Sequence, residues 1–464
     1  MNAEPNFFHH LRAEFSGGRR WLDRVIVLSY AIAAGLAVVG ITIASDWAFG
    51  AFHWLYDRAP WAVLATTPLI TAGIVWSTRR FFAGASGSGI PQVKAALHPA
   101  LPADRRHVFA SLRLSAAKLA LTVIGFTAGL SIGREGPSVQ VAAGVMQHAR
   151  RWLSPHSAID TRSLLIAGGA AGIAAAFNAP LAGVVFAIEE LSGRLESRSS
   201  GLIMTAIVLA GLVAVSAFGN LSYFGIIKVP RLGWDSLGPG ALIVLLGGAA
   251  GGLFSRLLIT SLTGAPERLN RLRTRYPVRF AAVGGLVVAV IGLATGGVTF
   301  GSGSEAVKRM LEGHDDLSPL YTLLKFIATW LTAWCGVPGG IFAPALSIGA
   351  GIGEAVAQIA QPDMGPALIA MGMAAFLAAV TQAPLTSFII VMEMVDGHAM
   401  VLSLMTAAML ASLVSKMISR PLYETLAEHM VGAAIGTSLP VPNAEPKDPI
   451  ETALEASAEA PASH

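Results

Sequence analysis

The chain has 464 residues, of which 54% are hydrophobic and only 13% are charged, and its formal net charge at pH 7 is +4. Soluble domains are about one quarter charged, so this composition excludes an ordinary soluble protein and indicates a polytopic membrane protein surrounded by lipid. The small positive charge is typical of basic cytoplasmic loops. No basic domain with interleaved aromatic residues is visible, so we expect no nucleic-acid partner.

Reactive side chains are sparse as well. The single cysteine, Cys335, lies in an apolar run and excludes an intrachain disulfide framework. No cluster of histidine and cysteine has the spacing of a metal site, and no nucleotide-binding or hydrolase motif occurs, so we expect neither a metal nor a cofactor. We therefore do not expect an enzyme.

The N-terminal residues 1–24 carry arginines and histidines but no signal-peptide core, which predicts a basic cytoplasmic segment. The charge-free run at 25–44 is long enough to cross a bilayer, and apolar stretches broken by Gly and Pro follow almost to Met417. Lipid tolerates broken helices only around a protein-lined cavity. We predict an all-α polytopic membrane domain over 25–432 with many tilted and broken helices, and a short disordered cytoplasmic tail over 433–464.

Three blocks of this domain recur in the same order. GSGIPQVKAAL at 87–97 returns as GSGSEAVKRML at 301–311, GREGPSVQVAAG at 133–144 as GGIFAPALSIGAG at 339–351, and AAFNAPLAGVVFAIEEL at 175–191 as AAVTQAPLTSFIIVMEMV at 378–395. We place the two repeats at about 60–220 and about 240–432, an arrangement typical of transporters, whose substrate sites lie at the repeat interface. The second GSG block lacks proline and contains Glu305, so we interpret it as a structural relic.

Three of these segments, those at 87–97, 133–144 and 339–351, are predicted to start a helix close to glycine and proline residues. Pro91, Pro137 and Pro344 suit the first position of a helix, where the missing N–H is no loss. The residues just before them then present unpaired N–H groups at the positive end of a helix dipole, which attracts anions without a cationic side chain. Three such helix starts that converge near the middle of the membrane would form an anion site.

These motifs resemble a known family. GSGIP at 87–91, GREGP at 133–137 and GIFAP at 340–344 occur in the order found in the CLC family of chloride channels and chloride/proton antiporters, and FNAPLAG at 177–183 and RPLY at 420–423 match as well. The chain is most similar to prokaryotic antiporters. The resemblance implies two inverted-topology halves, a homodimer with one pore per subunit, and a multi-pass protein of the inner membrane with both termini cytoplasmic.

The resemblance also implies a chloride site. Ser88 and Tyr423 match hydroxyl ligands of the central ion, and Ile341 and Phe342 match the residues whose backbone N–H groups coordinate it. Hydroxyls suit this role chemically too, because they donate hydrogen bonds without a charge that would trap the anion. The predicted chloride-binding residues are Ser88, Gly89, Gly136, Ile341, Phe342 and Tyr423. Two basic residues, Arg134 and Lys118, match positions that make the pathway electropositive.

Three carboxylates complete the predicted site. Glu135 matches the gating glutamate, which occupies an anion position until a proton neutralises it. Taken alone, Glu189 and Glu190 would suit a solvated pair at a helix end. By resemblance, Glu190 matches the internal proton-transfer glutamate and Glu189 its neighbour on the water route, which favours exchange of chloride for protons.

Several alternatives stay open from the sequence. A passive chloride channel of the same family is the first, and a fluoride/proton antiporter is less favoured, because Ser88 and Tyr423 are unlike that branch. An intramembrane enzyme with Glu189 and Glu190 as an acid/base pair would lack any nucleophile or metal ligand.

The chain departs from the family pattern near the first motif. Gln92 stands where the motif usually continues with glutamate, and Lys94 stands where some bacterial relatives carry an acid. We expect both to lie outside the shell that contacts the ion. For Glu393, the repeat partner of Glu189, we favour structural pairing near a helix end.

Overall fold

Helices form nearly all the regular structure in the computed structural model, which describes residues 18–192, 200–219, 223–225, 236–264, 267–313, 318, 320–360 and 364–436. Within these residues there are eighteen α-helices. The only β pairing among them is an isolated antiparallel bridge between Gly133 and Gly340. The predicted tail beyond residue 436 and the first 17 residues lie outside the described part.

Eight helices precede the middle of the chain. They are α1 (Gly18–Arg58), α2 (Val63–Phe81), α3 (Ile90–Leu97), α4 (Leu112–Thr127), α5 (Glu135–His148), α6 (Thr161–Ala176), α7 (Pro180–Phe186) and α8 (Ser200–Phe218). A π-helical turn, Ala187–Ser192, continues α7.

Ten helices follow. They are α9 (Leu237–Thr263), α10 (Glu267–Arg275), α11 (Pro277–Ala294), α12 (Ser304–Leu311), α13 (Tyr321–Cys335), α14 (Phe342–Ala360), α15 (Gly365–Thr381), α16 (Pro384–Met394), α17 (Val401–Lys416) and α18 (Leu422–Ile435). Among the described residues, eight helical segments are long and apolar enough to cross a membrane. Others, such as α3, α7 and α12, are much too short to span.

The first helix begins earlier than the sequence predicted. It starts at Gly18 rather than near Val25 and runs for 41 residues. Its buried Asp23 accepts hydrogen bonds from the backbone N–H and the hydroxyl of Ser154, at 3.1 and 3.0 Å. The helix that contains the first apolar run therefore begins inside the segment 1–24, and Asp23 ties this start to the loop beyond α5.

Small residues allow the repeat-related helices to pack closely. Both α6 and α15 are buried along nearly their whole length, and they pack against α5 and α14 respectively. A Cβ at Gly172 would lie 2.6 Å from the carbonyl oxygen of Ser138, and one at Gly349 would lie 2.4 Å from that of Gly372. Close backbone approach through glycine and alanine is the usual way for helices to associate in lipid, where apolar burial gives no net gain.

The two halves cap each other's helices reciprocally. The Glu189 carboxylate accepts from the N–H groups of Leu385 and Thr386 at the start of α16, at 3.0 and 2.6 Å. The Glu393 carboxylate accepts from the N–H groups of the first turn of α7, Leu181 and Ala182, at 3.3 and 2.8 Å. Such an exchange of equivalent contacts is what a two-fold relation between repeats produces, and it gives Glu393 the structural pairing that we favoured.

Removing one of these caps should destabilise the protein. Glu393→Ala leaves two N–H groups at the start of α7 without their acceptor, so we expect a loss of about 0.5–2 kcal/mol, as for other helix N-caps. Thermal unfolding in detergent should show a lower midpoint. Glu393→Gln is the control, because its amide oxygen still accepts a hydrogen bond from an N–H group. Equal midpoints for the two variants would contradict the capping role.

Candidate functional site

Three glycine-containing loops meet at the interface of the two halves. Gly133 and Gly340 exchange backbone hydrogen bonds in both directions, each 2.7 Å long. The N–H of Gly339 donates to the carbonyl oxygen of Gly87 at 3.2 Å. The motifs GSGIP, GREGP and GIFAP are therefore brought together, as the repeat pattern predicted, and α3, α5 and α14 all start at this point.

The prolines do not open these helices, contrary to the prediction. Pro91 is the second residue of α3, while Pro137 and Pro344 are the third residues of α5 and α14. A helix leaves its first four N–H groups without an internal partner, so proline at the third position costs no hydrogen bond. As a result, the N–H groups of Gly136 and Phe342 belong to the helices themselves, in the first turn, and have no acceptor within their own helix.

The loop before α3 is held by Gln92. Its Oε1 accepts from the N–H of Gly89 at 2.9 Å, and its Nε2 donates to the carbonyl oxygen of Ser86. Gly89 has φ +117°, a conformation that side chains with a Cβ rarely adopt. An amide both donates and accepts, whereas a carboxylate only accepts, so glutamine fixes this turn at both ends.

Two buried hydroxyls face this junction. Ser88 Oγ and Tyr423 OH are both buried, and neither makes a hydrogen bond of good geometry to a described residue, although the two lie close enough to interact with each other. A Cβ on Gly136 would lie 2.5 Å from Ser88 Oγ, so the serine lies directly against the start of α5. The Tyr423 ring lies 6.0 Å from that of Phe342, the first residue of α14. An unpaired buried hydroxyl costs about 1–3 kcal/mol, so this pair is suited to a ligand that accepts hydrogen bonds.

These hydroxyls border a cavity of about 190 Å³. Its lining also includes Pro91, Gln92 and Ile341. We call it the Tyr423 cavity.

Glu135 lies at the other side of the junction. Its side chain is only 2% exposed, and its Oε2 makes no hydrogen bond in the described part of the chain. The backbone N–H groups of Arg134, Glu135 and Ala343 lie close enough to stabilise the carboxylate. These N–H groups and Arg134 favour the ionised form, while burial opposes it.

A second cavity, of about 270 Å³, is lined by Glu135 and shares no lining residue with the Tyr423 cavity. We call it the Glu135 cavity. Its lining includes Asp46, His53, Arg134, Glu135, Tyr223, Ser302, Ser304 and Glu305. Glu135 and the hydroxyl pair are therefore reached through different cavities.

The two basic residues predicted for the pathway have protein partners. Arg134 pairs with Asp46, with Nη1 and Oδ1 2.5 Å apart, and donates to the Tyr223 hydroxyl at 3.2 Å. Lys118 is buried, and its Nζ donates to the carbonyl oxygens of Ala85 and Gly87 at 2.9 and 2.5 Å. Arg134 therefore lines the Glu135 cavity beside a counter-ion, while Lys118 supports the loop that carries Ser88.

The sequence analysis did not identify two residues of this region, Lys325 and Asp46. In the second half, buried Lys325 donates to the carbonyl oxygens of Thr299 and Gly301 at 2.9 and 2.7 Å, repeating the role of Lys118. Lys325 is the one charged side chain of α13, a signal that was available. Asp46, isolated within the apolar α1, gave the same signal.

The other two predicted glutamates, Glu189 and Glu190, make different contacts. Glu190 lies on the π-helical turn Ala187–Ser192, and its Oε1 accepts from Lys94 Nζ at 2.7 Å. Tyr423 interacts electrostatically with both Glu190 and Glu135, so it lies within range of both carboxylates. Glu189 does not join this group, because both its oxygens cap α16 in the other half.

Comparison with known proteins identifies the family. The family described as voltage gated chloride channel matches residues 70–416. The chain belongs to this family, the CLC proteins. It is 31% identical over 359 residues to the H(+)/Cl(-) exchange transporter ClcA of Vibrio vulnificus (strain YJ016), with 74% of each protein covered. It is also 31% identical over 400 residues to ClcA of Cronobacter sakazakii (strain ATCC BAA-894), covering 81% of this chain and 82% of the relative.

Solved CLC structures have the same fold. A slow cyanobacterial Cl-/H+ antiporter superposes with a TM-score of 0.74 at 25% identity, covering 88% of this chain and 98% of the other. A CLC-type fluoride/proton antiporter superposes with a TM-score of 0.73 at 20% identity, covering 91% and 99%. The predicted all-α CLC-type membrane fold is confirmed.

The contact between Gly136 and Ser88 provides a direct test of the site. Gly136→Ala would place a Cβ 2.5 Å from Ser88 Oγ and 2.8 Å from its carbonyl oxygen. Overpacking of this kind costs about 1–3 kcal/mol, so we expect chloride binding, measured by isothermal titration calorimetry, to weaken by about tenfold or more.

The matched control is Gly238→Ala. Gly238 is likewise the second residue of its helix, α9, and a Cβ there meets no atom within 4 Å. We expect wild-type affinity for this variant. Equal affinities for the two variants would show that Ser88 and Gly136 do not form the anion site.

Proposed function

We propose that this CLC protein is a secondary active antiporter that exchanges chloride for protons across the inner membrane of a prokaryote. The observation that carries the proposal is the neighbouring pair of buried hydroxyls of Ser88 and Tyr423, which make no hydrogen bond of good geometry to a described residue, with Glu135 and Glu190 within electrostatic range of the tyrosine. The relatives from Vibrio and Cronobacter, named as H(+)/Cl(-) exchange transporters, support it over most of the chain.

Chloride is held without a permanent cation. The hydroxyls of Ser88 and Tyr423 donate to it, together with the first-turn N–H groups of α14 at Phe342 and the preceding Ile341. The partial positive charge at a helix start stabilises an anion by about 0.3–1 kcal/mol in exposed settings and more where water is excluded. Weak, neutral donors let the anion leave again, as transport requires.

Glu135 competes with chloride for the positive electrostatic potential of the same backbone N–H groups. When ionised, its carboxylate is stabilised by the N–H groups around it and repels a second anion. A proton that arrives through the Glu135 cavity removes this charge. The neutral side chain is then free to leave its place to chloride, so proton uptake and anion entry become linked.

Glu190 serves as the proton's station on the opposite side. It is buried, it lies within electrostatic range of Tyr423, and it is paired with Lys94, whose side chain is partly exposed. A buried ionisable group in a membrane domain is costly and therefore suggests a function. Glu190 passes protons between that side and Glu135, while chloride moves past the hydroxyls.

A passive chloride channel is the second candidate. It would use the same hydroxyls and helix starts. It would give no function to Glu190, a second buried carboxylate with its own counter-ion. The antiport proposal accounts for both glutamates, and fluoride/proton exchange is distinguished from it by comparing fluoride and chloride fluxes.

Membrane orientation and assembly complete the proposal. Both termini lie on the cytoplasmic side, the Glu135 cavity opens outward, and Glu190 serves the inner side. The protein forms a homodimer with one pathway per subunit. Cross-linking in native membranes tests the dimer separately from the transport assays.

Coupled flux in proteoliposomes tests the exchange itself. Vesicles are loaded with high chloride and diluted into low chloride at equal pH, with equal potassium on both sides and valinomycin to hold the membrane potential at zero. Chloride efflux should drive protons inward and make the external medium alkaline. A channel gives chloride efflux without proton movement under these conditions, so that result would overturn the proposal.

Glu135→Gln should abolish proton movement in this assay while chloride still flows, because a neutral side chain neither carries a proton nor excludes the anion by charge. Glu305→Gln is the control, since Glu305 lines the same cavity with an exposed side chain. We expect it to remain coupled. Persistent coupling in Glu135→Gln would show that Glu135 is not the gate.

The neighbouring pair Glu189 and Glu190 allows a sharper comparison. Glu190→Gln should stop proton transport and leave chloride flux. Glu189→Gln should retain coupling, because its wild-type oxygens only cap α16 and an amide oxygen still accepts from an N–H. The reverse pattern would assign the internal proton route to Glu189.

A further inference from the structure

Lys94 is placed to act on the proposed internal proton station. It lies on α3, the short helix that starts at the chloride loop, and its Nζ lies 2.7 Å from Glu190 Oε1. The Lys94 side chain is 20% exposed and that of Glu190 is 7% exposed. The pair thus joins a buried carboxylate to an ammonium that is partly exposed.

The other charged side chains around Glu190 are either acidic or already hydrogen-bonded to other groups. Glu189 on the same turn and Glu424 on α18 add negative charge, and Glu428 on α18 interacts with both Glu424 and Lys94. On α6, Arg162 donates to the carbonyl oxygen of Leu97 at 2.9 Å. On α16, Glu393 caps α7. In the described part of the chain, Lys94 is therefore the cation in direct contact with Glu190.

We propose that Lys94 is a positioning residue that holds the Glu190 carboxylate in place and favours its ionised form, and thereby tunes proton uptake by Glu190 from the side where Lys94 is exposed. This rests on the proposed role of Glu190 in proton transfer. Burial and the neighbouring carboxylates favour the neutral acid, and the ammonium opposes them. With Lys94 in place, Glu190 binds a proton only in more acidic solution than it would alone.

A consequence for transport follows from this balance. Proton transfer requires Glu190 to take up and release a proton in every cycle. Without the ammonium, the neutral acid persists to higher pH, so uptake extends into alkaline solution while release becomes harder. Lys94 therefore determines the pH range over which exchange runs, and chloride movement that does not involve Glu190 is independent of it.

The test is the pH profile of coupled proton flux in proteoliposomes, measured with equal pH on both sides at a series of values. Lys94→Gln should shift the half-maximal point to higher pH by about one unit or more, the usual effect of one contacting opposite charge. Lys94→Arg keeps the cation and should retain a profile close to that of the wild type. An unchanged profile in Lys94→Gln would overturn the proposal.

A background without Glu190 gives the specificity control. Chloride flux in Glu190→Gln and in Glu190→Gln/Lys94→Gln should follow the same pH profile, because the group through which Lys94 acts is gone. A difference between them would show that Lys94 acts elsewhere, for example on the anion directly.

Infrared spectroscopy of the purified protein keeps the test independent of transport. The carboxylic-acid band that disappears in Glu190→Gln reports protonation of Glu190, and its titration should move to higher pH in Lys94→Gln or Lys94→Met. If the wild type shows no coupled flux, the proposed function fails, yet this titration still decides whether Lys94 controls Glu190. If coupling is intact and the titration does not move, only the Lys94 proposal fails.

Discussion

The structure depends on the antiparallel backbone bridge between Gly133 and Gly340, which ties one half of the chain to the other at the middle of the fold. Neither position has room for a Cβ unless a neighbour moves, and at Gly340 that neighbour is backbone. A Cβ at Gly133 would lie 2.2 Å from Glu135 Oε2, and one at Gly340 would lie 2.8 Å from the backbone nitrogen of Gly136. Because the bridge sets α5 and α14 side by side, it also fixes where their free N–H groups point and how near Ser88 comes to both.

Lipid explains why contacts between the halves are so reciprocal. Backbone groups in a membrane have no water to bind, so broken helices must find partners within the protein. Lys118 and Lys325 donate hydrogen bonds to the carbonyl oxygens of equivalent loops. Glu189 and Glu393 each cap the start of a helix in the opposite half. Against this background the two hydroxyls of the Tyr423 cavity are informative, because they make no hydrogen bond of good geometry to a described residue and the proposed substrate would accept from both.

The sequence predicted much of this, and the limits have a physical cause. Local patterns predicted the helix starts, the repeats and the family, because glycine, proline and spacing act over a few residues. Contacts across the chain leave no such pattern. The pairing of Lys94 with Glu190, the capping by Glu189 and the pairing of Arg134 with Asp46 all join distant segments. The predicted proline positions were wrong because every position in the first turn of a helix tolerates a missing N–H. Proline alone therefore does not identify the first residue of the helix.

The most direct test of the central claim is the position of the anion. Crystals grown in bromide would show it by anomalous diffraction. A peak within hydrogen-bonding distance of both Ser88 Oγ and Tyr423 OH is expected, with a second peak in Glu135→Gln where the wild-type carboxylate lies. Bromide absent from between the two hydroxyls, or a carboxylate position that stays free of bromide in Glu135→Gln, would contradict the competition between Glu135 and chloride.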